Sequence, residues 1–419
     1  MFKKNKRIFS ICILLILFFG LQGITGCSYS STAVNSPEKR NGSVETGTDT
    51  EIESGSEEGE KELTEGPAIS KELTCKCSMD TEYAEEFRVD YYEDANGASY
   101  TLLQTIPDET VILVVPEGGN VPGDLDESVI VLKKPVKNLY LVASAAMDMF
   151  VNLDALDSIR FSGQKKENWY IPEAAAAMEK GDILYAGKYS KPDYELIVSN
   201  GCSMAIENTM IFHSPDVIEQ LGNFGIPVIV DYSSSESHPL ARVEWIRFYG
   251  ALLGLEDKAD EIYREQSELV NSIESEDKTD LTVAYFYITS NNLVQVRKTT
   301  DYIPKMIEIA GGKYIFDETE DDGTNKSTVN MQLEEFYDSA KDADIIIYNS
   351  SIDGGVETVE ELKDKWALLA DFKAVKEGNV WCTTNDSYQQ SMAIGYMIED
   401  MHKVISGGEE GLHYIYKLK

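Results

Sequence analysis

Basic side chains are scarce in this chain: 37 Lys and Arg stand against 73 Asp and Glu in 419 residues, a formal net charge of −36. A phosphate-backbone binder needs a basic footprint, and an anionic membrane surface repels such a chain, so neither nucleic-acid binding nor nonspecific adsorption to a membrane is expected. Any anionic ligand would have to be held by a local basic exception. Histidine is scarcer still, with His213, His238, His402 and His413 and no metal-ligand spacing to another His or Cys. No phosphate-cradling glycine loop and no Gly-x-Ser-x-Gly elbow occurs, so the sequence offers no catalytic constellation and no enzyme is expected. Six cysteines make no disulfide framework. Cys12 and Cys27 belong to the N-terminal segment, and the pairing of Cys75, Cys77, Cys202 and Cys382 is not legible from spacing. Long apolar runs are also lacking, except for one between Ile8 and Leu21.

That run follows Lys3, Lys4, Lys6 and Arg7 and is too short to span a bilayer as a permanent helix. It leads to Ile24-Thr-Gly-Cys27, which resembles the lipobox of bacterial lipoproteins, where the cysteine is acylated after cleavage. Residues 1–26 are therefore expected to be a lipoprotein signal peptide, with Cys27 as the lipidation site and a lipid anchor on the extracellular face of the cell membrane. Residues 27–72 are rich in Ser, Thr, Gly and Glu, as in Glu51-Ile-Glu-Ser-Gly-Ser-Glu-Glu. Such a stretch cannot bury enough surface to offset its ordering entropy and predicts a disordered acidic tether.

The rest of the chain has 42% hydrophobic residues overall to draw on and reads as a globular body. Residues 73–135 alternate in short segments, Glu86-Phe-Arg-Val-Asp-Tyr-Tyr and Thr110-Val-Ile-Leu-Val-Val, punctuated by Asn96-Gly97. They predict a small β-rich extension. From Val136 onward apolar strands such as Asn138-Leu-Tyr-Leu-Val-Ala and Pro227-Val-Ile-Val-Asp alternate with helical stretches, and the alternation restarts after Asp280. The fold class expected is α/β, two doubly wound lobes with parallel sheets, at 136–238 and 277–419. A long, partly exposed connecting helix at 239–276 joins them and leaves a cleft between the lobes.

Tyr249-Gly-Ala-Leu-Leu-Gly-Leu-Glu-Asp-Lys-Ala-Asp resembles the signature opening the backbone helix of ABC-transporter solute-binding proteins of the iron-siderophore, haem and cobalamin class. Gly187-Lys-Tyr-Ser-Lys-Pro-Asp-Tyr-Glu195, Cys202-Ser-Met-Ala-Ile-Glu207, Ala310-Gly-Gly, Lys341-Asp-Ala-Asp-Ile and Gly378-Asn-Val follow that family's order over about residues 136–408. The β-rich extension departs from the family. The resemblance implies a subunit that captures an iron chelate, haem or a corrinoid and passes it to permease and ATPase subunits. It has no resident cofactor, because the ligand brings its own metal coordination, and it is expected to be a monomer. It also implies a short helix at Glu195-Leu-Ile-Val-Ser, where pattern alone predicts a strand. Glu195 matches one permease-docking acid. At the second position Gln332 replaces the acid, with Glu334 and Glu335 close by. A surface sensory or adhesion module reusing the fold is the rival reading.

Tyrosines, 23 in all, are the other signal. Trp169, Tyr170, Tyr232, Tyr287, Tyr302 and Tyr388 lie at or soon after predicted strand ends and suit a bulky, partly apolar chelate. Ser144 and Asn208 are counted with them. Trp169 and Tyr302 are expected on opposite walls of the cleft. Arg297-Lys298 is a basic pair able to hold an anionic chelate, Lys165-Lys166 is another, and His213 or His238 could serve as an axial ligand to haem or a corrinoid. Replacing Cys27 with Ala should leave the precursor unlipidated and poorly retained in a membrane fraction, since acyl insertion supplies the anchoring energy. Full retention of the variant would sink the lipoprotein assignment.

Overall fold

The computed structural model describes residues 66–316 and 327–419. The lipobox, Cys27 and most of the expected tether lie outside these residues.

The body begins earlier than the sequence suggests. Residues 66–72 are packed, with Lys71 N–H donating to Asp124 (2.9 Å) and Gly123 N–H to Glu72 (2.9 Å). Five strands follow in sequential order, Leu73–Ser78, Phe87–Asp94, Ser99–Thr105, Val111–Val115 and Ile130–Lys133, antiparallel except for the last pair. Asn96-Gly97 makes the first tight hairpin: Gly97 takes φ 84°, and the Asp94 carboxylate accepts the N–H groups of Asn96 and Ala98.

The first lobe holds an all-parallel sheet ordered Val228–Asp231, Met204–Asn208, Leu139–Leu141, Ile159–Ser162 and Leu184–Tyr185. The second lobe departs from the parallel expectation. Thr282–Ile288, Ile345–Tyr348 and Val380–Thr383 run parallel at its centre. Val294–Arg297, Thr328–Met331 and Ile415–Lys417 pair antiparallel on the flanks. The cause is local: Thr289 N–H bonds Leu293 O across a tight turn with Asn292 at φ 58°, which sends the chain straight back. At Tyr194–Ser199 the helix forms in spite of its strand-like pattern, because Asp193 caps it by accepting Leu196 N–H (3.0 Å).

The connection between lobes is two helices, Pro239–Leu253 and Glu256–Glu274, not one. Gly254 ends the first in the left-handed region (φ 77°), as a helix terminator does. Gly250 explains the other glycine of the signature: a Cβ there would sit 2.5 Å from the Ala259 Cβ, so only glycine lets the helices pack this closely. The first helix is buried on nearly all faces, contrary to the partly exposed reading, while the second carries the polar side. Around the first, Phe87 of the extension meets Trp245 and Phe248, and Phe150 of the first lobe meets Tyr249. Glu244 ties it to the extension by accepting the N–H groups of Glu82, Tyr83 and Ala84, and Arg247, one turn on in the same helix, also reaches Glu244 at 2.8 Å.

Glu207 is the costly residue of the first lobe. It lies on the interior strand Met204–Asn208, fully buried, and neither carboxylate oxygen has a hydrogen-bond partner among the described residues. Burial pushes its pKa up to about 8. A carboxyl whose folded pKa lies above its unfolded value favours folding most below the unfolded pKa, near 4.5. That contribution falls as pH rises toward 8, by about 1.4 kcal/mol per pH unit at most. Glu207→Met should therefore raise Tm at pH 8 more than at pH 4.5, measured by differential scanning calorimetry. An equal shift at both pH values would show that Glu207 is not held neutral by the fold.

Candidate functional site

Open α/β sheets present ligands beyond the carboxyl ends of their parallel strands. In the second lobe those ends are followed by Asn349 and Ser351, and by Ser387 and Tyr388. With Tyr285, Arg297, Tyr302 and Tyr414 they line a slot of about 40 Å³. Asp301 starts the helix Tyr302–Ile309 by accepting Ile303 N–H (3.0 Å), which fixes Tyr302 at the slot. The Arg297 guanidinium lies 3.5 Å from Asp301 and 6.0 Å from the centroid of the Tyr302 ring. Burial opposes its charge, but Asp301 and the surrounding tyrosines hold its pKa above the usual arginine value. From the first connecting helix, Arg242 stacks 3.6 Å over the same ring, with its Nε–H bonded to Glu236 O. Two arginines thus converge on one tyrosine in a strongly acidic protein. Arg242 escaped the sequence reading because nothing local marks it; its place in the first turn of the connecting helix is the signal available.

The first lobe meets this slot along one flank. Tyr170 is exposed and sits edge-on to Tyr388, ring centroids 6.1 Å apart. Gln389, fully buried, accepts Tyr170 N–H (2.8 Å) and donates to Asn168 O (2.8 Å). Ser391 donates to Ala145 O, and the Asp148 carboxylate accepts Met392 N–H (2.8 Å). Burial pushes the Asp148 pKa up to about 6, against the lowering effect of Met392 N–H. Gln389 and Asp148 are polar residues in helical or loop sequence with no pattern to single them out.

Other sequence candidates land elsewhere. Trp169 does not face Tyr302: its ring is buried in its own lobe, and Nε1–H donates to Ser162 Oγ (3.2 Å). Tyr287 is half-buried against its own lobe's core, and Lys298 is buried with its N–H on Ser327 O. Ser144 opens a helix at the end of Leu139–Leu141, and Asn208 caps the turn after its strand by accepting Met210 N–H. That turn carries half-exposed Met210 and Phe212, and Ile352 is exposed in the other lobe. Tyr232 is buried, with its ring against Phe212 (6.4 Å). His238 is no free axial ligand. Its ring stacks on Tyr83 (4.2 Å), Nδ1 accepts Leu240 N–H, and burial lowers its pKa to about 4. His213 is exposed at the end of a short turn. Lys165 and Lys166 pair with Glu167 and Glu179 on the surface. Glu195 is exposed in the first turn of its helix, and Glu334 and Glu335 are exposed in the first turn of Leu333–Ala340.

Comparison with known proteins places the architecture. No protein-family model matches the sequence. An uncharacterized lipoprotein of Methanocaldococcus jannaschii is 28% identical over 261 residues, covering 59% of this chain and 65% of its own length. A second from the same organism is 27% identical over 235 residues, covering 54% and 53%. The chain thus matches less than two thirds of the length of each. Among solved structures, a possible iron-binding periplasmic solute-binding protein of Staphylococcus epidermidis superposes with TM-score 0.51 at 15% identity, over 65% of this chain and 99% of that one. The periplasmic haem-binding protein of Vibrio cholerae gives 0.51 at 13% identity, over 63% and 97%. A TroA-like periplasmic binding protein of Veillonella parvula gives 0.50 at 15% identity, over 69% and 96%. The fold is that of the two-lobed, TroA-like periplasmic binding proteins.

Gln389→Ala removes the side chain that bridges the lobes. Loss of about 1–2 kcal/mol of buried hydrogen bonding predicts roughly tenfold faster amide exchange at Tyr170. Unchanged exchange there, measured by mass spectrometry, would mean the bridge does not hold the lobes together.

Proposed function

We propose that this chain is a lipid-anchored, extracellular-facing solute-binding subunit of an ABC importer, capturing a ferric siderophore or related anionic iron complex and delivering it to a permease. The observation that carries this reading is the convergence of Arg242 and Arg297 on Tyr302, in a slot that Tyr388 also lines, with Tyr170 edge-on to Tyr388. Planar guanidiniums bind carboxylate or catecholate oxygens bidentately, and the tyrosine faces accept the apolar body of a chelate. The fold shared with binding proteins supports capture over catalysis, and the lipoprotein names of the curated relatives support an anchor.

Haem or cobalamin remains the alternative ligand. Haem has support from the fold shared with the Vibrio cholerae haem-binding protein. In either case the slot of about 40 Å³ is far smaller than a chelate, so capture requires the lobes to move apart along the Gln389 flank. Glu195 with Glu334 and Glu335, one exposed acidic helix start on each lobe, would meet the permease.

The test pairs capture with delivery. A ferric siderophore, haemin and cyanocobalamin are each titrated against the soluble body by thermal shift, since a ligand of the folded state raises Tm by mass action. Arg297→Ala should weaken the bound chelate by about 1–3 kcal/mol. Glu195→Ala should leave affinity unchanged and reduce uptake by cells. Absence of any Tm shift would promote the sensory or adhesion reading, and loss of affinity in Glu195→Ala would place that residue in the cleft instead.

A further inference from the structure

The second lobe holds a far larger space than the slot, built on residues that the binding reading does not use. Between the loop after Ile345–Tyr348, the helix Val359–Lys365 and the edge strand Ile415–Lys417 lies an open hollow of about 1030 Å³, at the upper end of the range for ligand clefts. The two spaces adjoin the same strand ends: Thr383 and Ile415 line the slot, Thr384 and Tyr416 the hollow.

The hollow forms because pairing on the outer edge of Ile415–Lys417 stops short. Tyr414 O accepts Thr384 N–H and Leu418 N–H donates to Val380 O, so by the alternation of an antiparallel ladder Lys417 turns its N–H and C=O outward. Lys419 does the same and is paired there by the chain itself: its N–H donates to Glu357 O (3.3 Å) and its C=O accepts Val359 N–H (3.0 Å). One step back along that parallel pairing, Glu357 N–H would reach Lys417 O, but the Glu361 carboxylate holds it instead (2.7 Å). Gly354 and Gly355, at φ 87° and 79°, turn the chain off the edge. Among the described residues no backbone group meets Lys417 on its outer side.

The walls are polar and of opposite sign. Lys417 and Lys419 stand on the strand side, and Glu361 and Asp364 on the helix side. Lys365 is held by Asp353 (2.8 Å) and Lys417 reaches Glu409, whereas Lys419 and Asp364 have no ion pair among the described residues. Thr384 Oγ1 and Asn385 Oδ1 are buried with no hydrogen-bond partner among the described residues, and Asn385 is oriented by its Nδ2–H on Gly354 O (3.2 Å). Buried polar atoms are normally paired, so these two call for a polar group from outside the chain.

We propose that the hollow is a second binding site, separate from the slot, for a short zwitterionic peptide bound in extended form. The peptide backbone pairs with the outer N–H and C=O of Lys417, adding a strand where residues 354–356 turn away, as Glu357–Val359 already does at Lys419. Its carboxylate meets Lys419 and its ammonium meets Asp364, while Asn385 Oδ1 takes one of its N–H groups. A site that reads backbone and end charges accepts oligopeptides of different sequence. This inference goes beyond capture of an iron complex and does not depend on it.

The test uses the chain without its signal segment and tetra-alanine as probe, whose methyl side chains leave only backbone and end charges to be read. Tetra-alanine at millimolar concentration should slow amide exchange at Lys417 several-fold and leave exchange at Tyr302 unchanged. N-acetyl-tetra-alanine amide, which lacks both end charges, should bind several-fold more weakly by calorimetry. Asp364→Asn and Lys419→Gln, both at exposed positions, should each weaken tetra-alanine by about two- to fivefold, as for loss of one exposed ion pair. No slowing at Lys417 overturns the site. Equal affinity for the blocked peptide, or unchanged affinity in both variants, overturns recognition of a zwitterion. Iron complexes are titrated separately, so failure of either reading leaves the other standing.

Discussion

Everything in this structure is hung on two buried glutamates at the start of one helix. Glu244 is fully buried and takes the N–H groups of Glu82, Tyr83 and Ala84 at 2.8–2.9 Å, and Glu236 takes those of Glu85 and Glu86 together with Trp245 Nε1–H (3.0 Å). A carboxylate removed from water is tolerated only when donors replace its hydration. Here five consecutive backbone amides of the extension supply them. The extension is consequently no appendage: pulling it away would uncover Trp245 and Phe248, leave Glu244 only Arg247 and leave Glu236 only Trp245 Nε1–H.

The same helix then sets the geometry of the lobes. Its glycine at 250 lets Glu256–Glu274 pack against it at close range, so the lobes are joined by a braced helix pair and not by a flexible strand linker. Arg242 leaves this braced element to stack on Tyr302 in the second lobe, and Gln389 and Asp148 tie the lobes along one flank. Beside these contacts, one apolar core runs through both lobes and the connecting helices, with Met147, Trp245 and Ile394 among its buried residues.

Much of the fold was legible from one sequence. The strand–helix alternation, the tight hairpin at Asn96-Gly97 and the glycines of the connecting segment each carry a local physical signal. Two readings changed for local reasons too. Gly254 breaks the connecting helix, and the tight turn before Leu293 turns a parallel edge into an antiparallel one. The site was legible only in part. Arg297 and Tyr302 do meet, and Tyr170 and Tyr388 do face each other. Trp169, one residue from Tyr170, is instead buried in its own lobe, and His238 spends its ring nitrogen and ring face on Leu240 and Tyr83.

What the sequence determined by itself is what depends on near neighbours: an acidic surface, an N-terminal segment with the pattern of a lipoprotein signal, an α/β body, and the positions where only glycine fits. What the tertiary structure decided is which side chains share a space. Arg242 stacks on Tyr302 across 60 positions, Tyr170 meets Gln389 across 219, and Glu244 takes the N–H of Glu82 across 162. Aromatic and charged residues at strand ends look alike in a linear pattern. Their roles part only when packing assigns one to the core and its neighbour to the cleft, because burial is a property of the assembled surfaces and not of the residue.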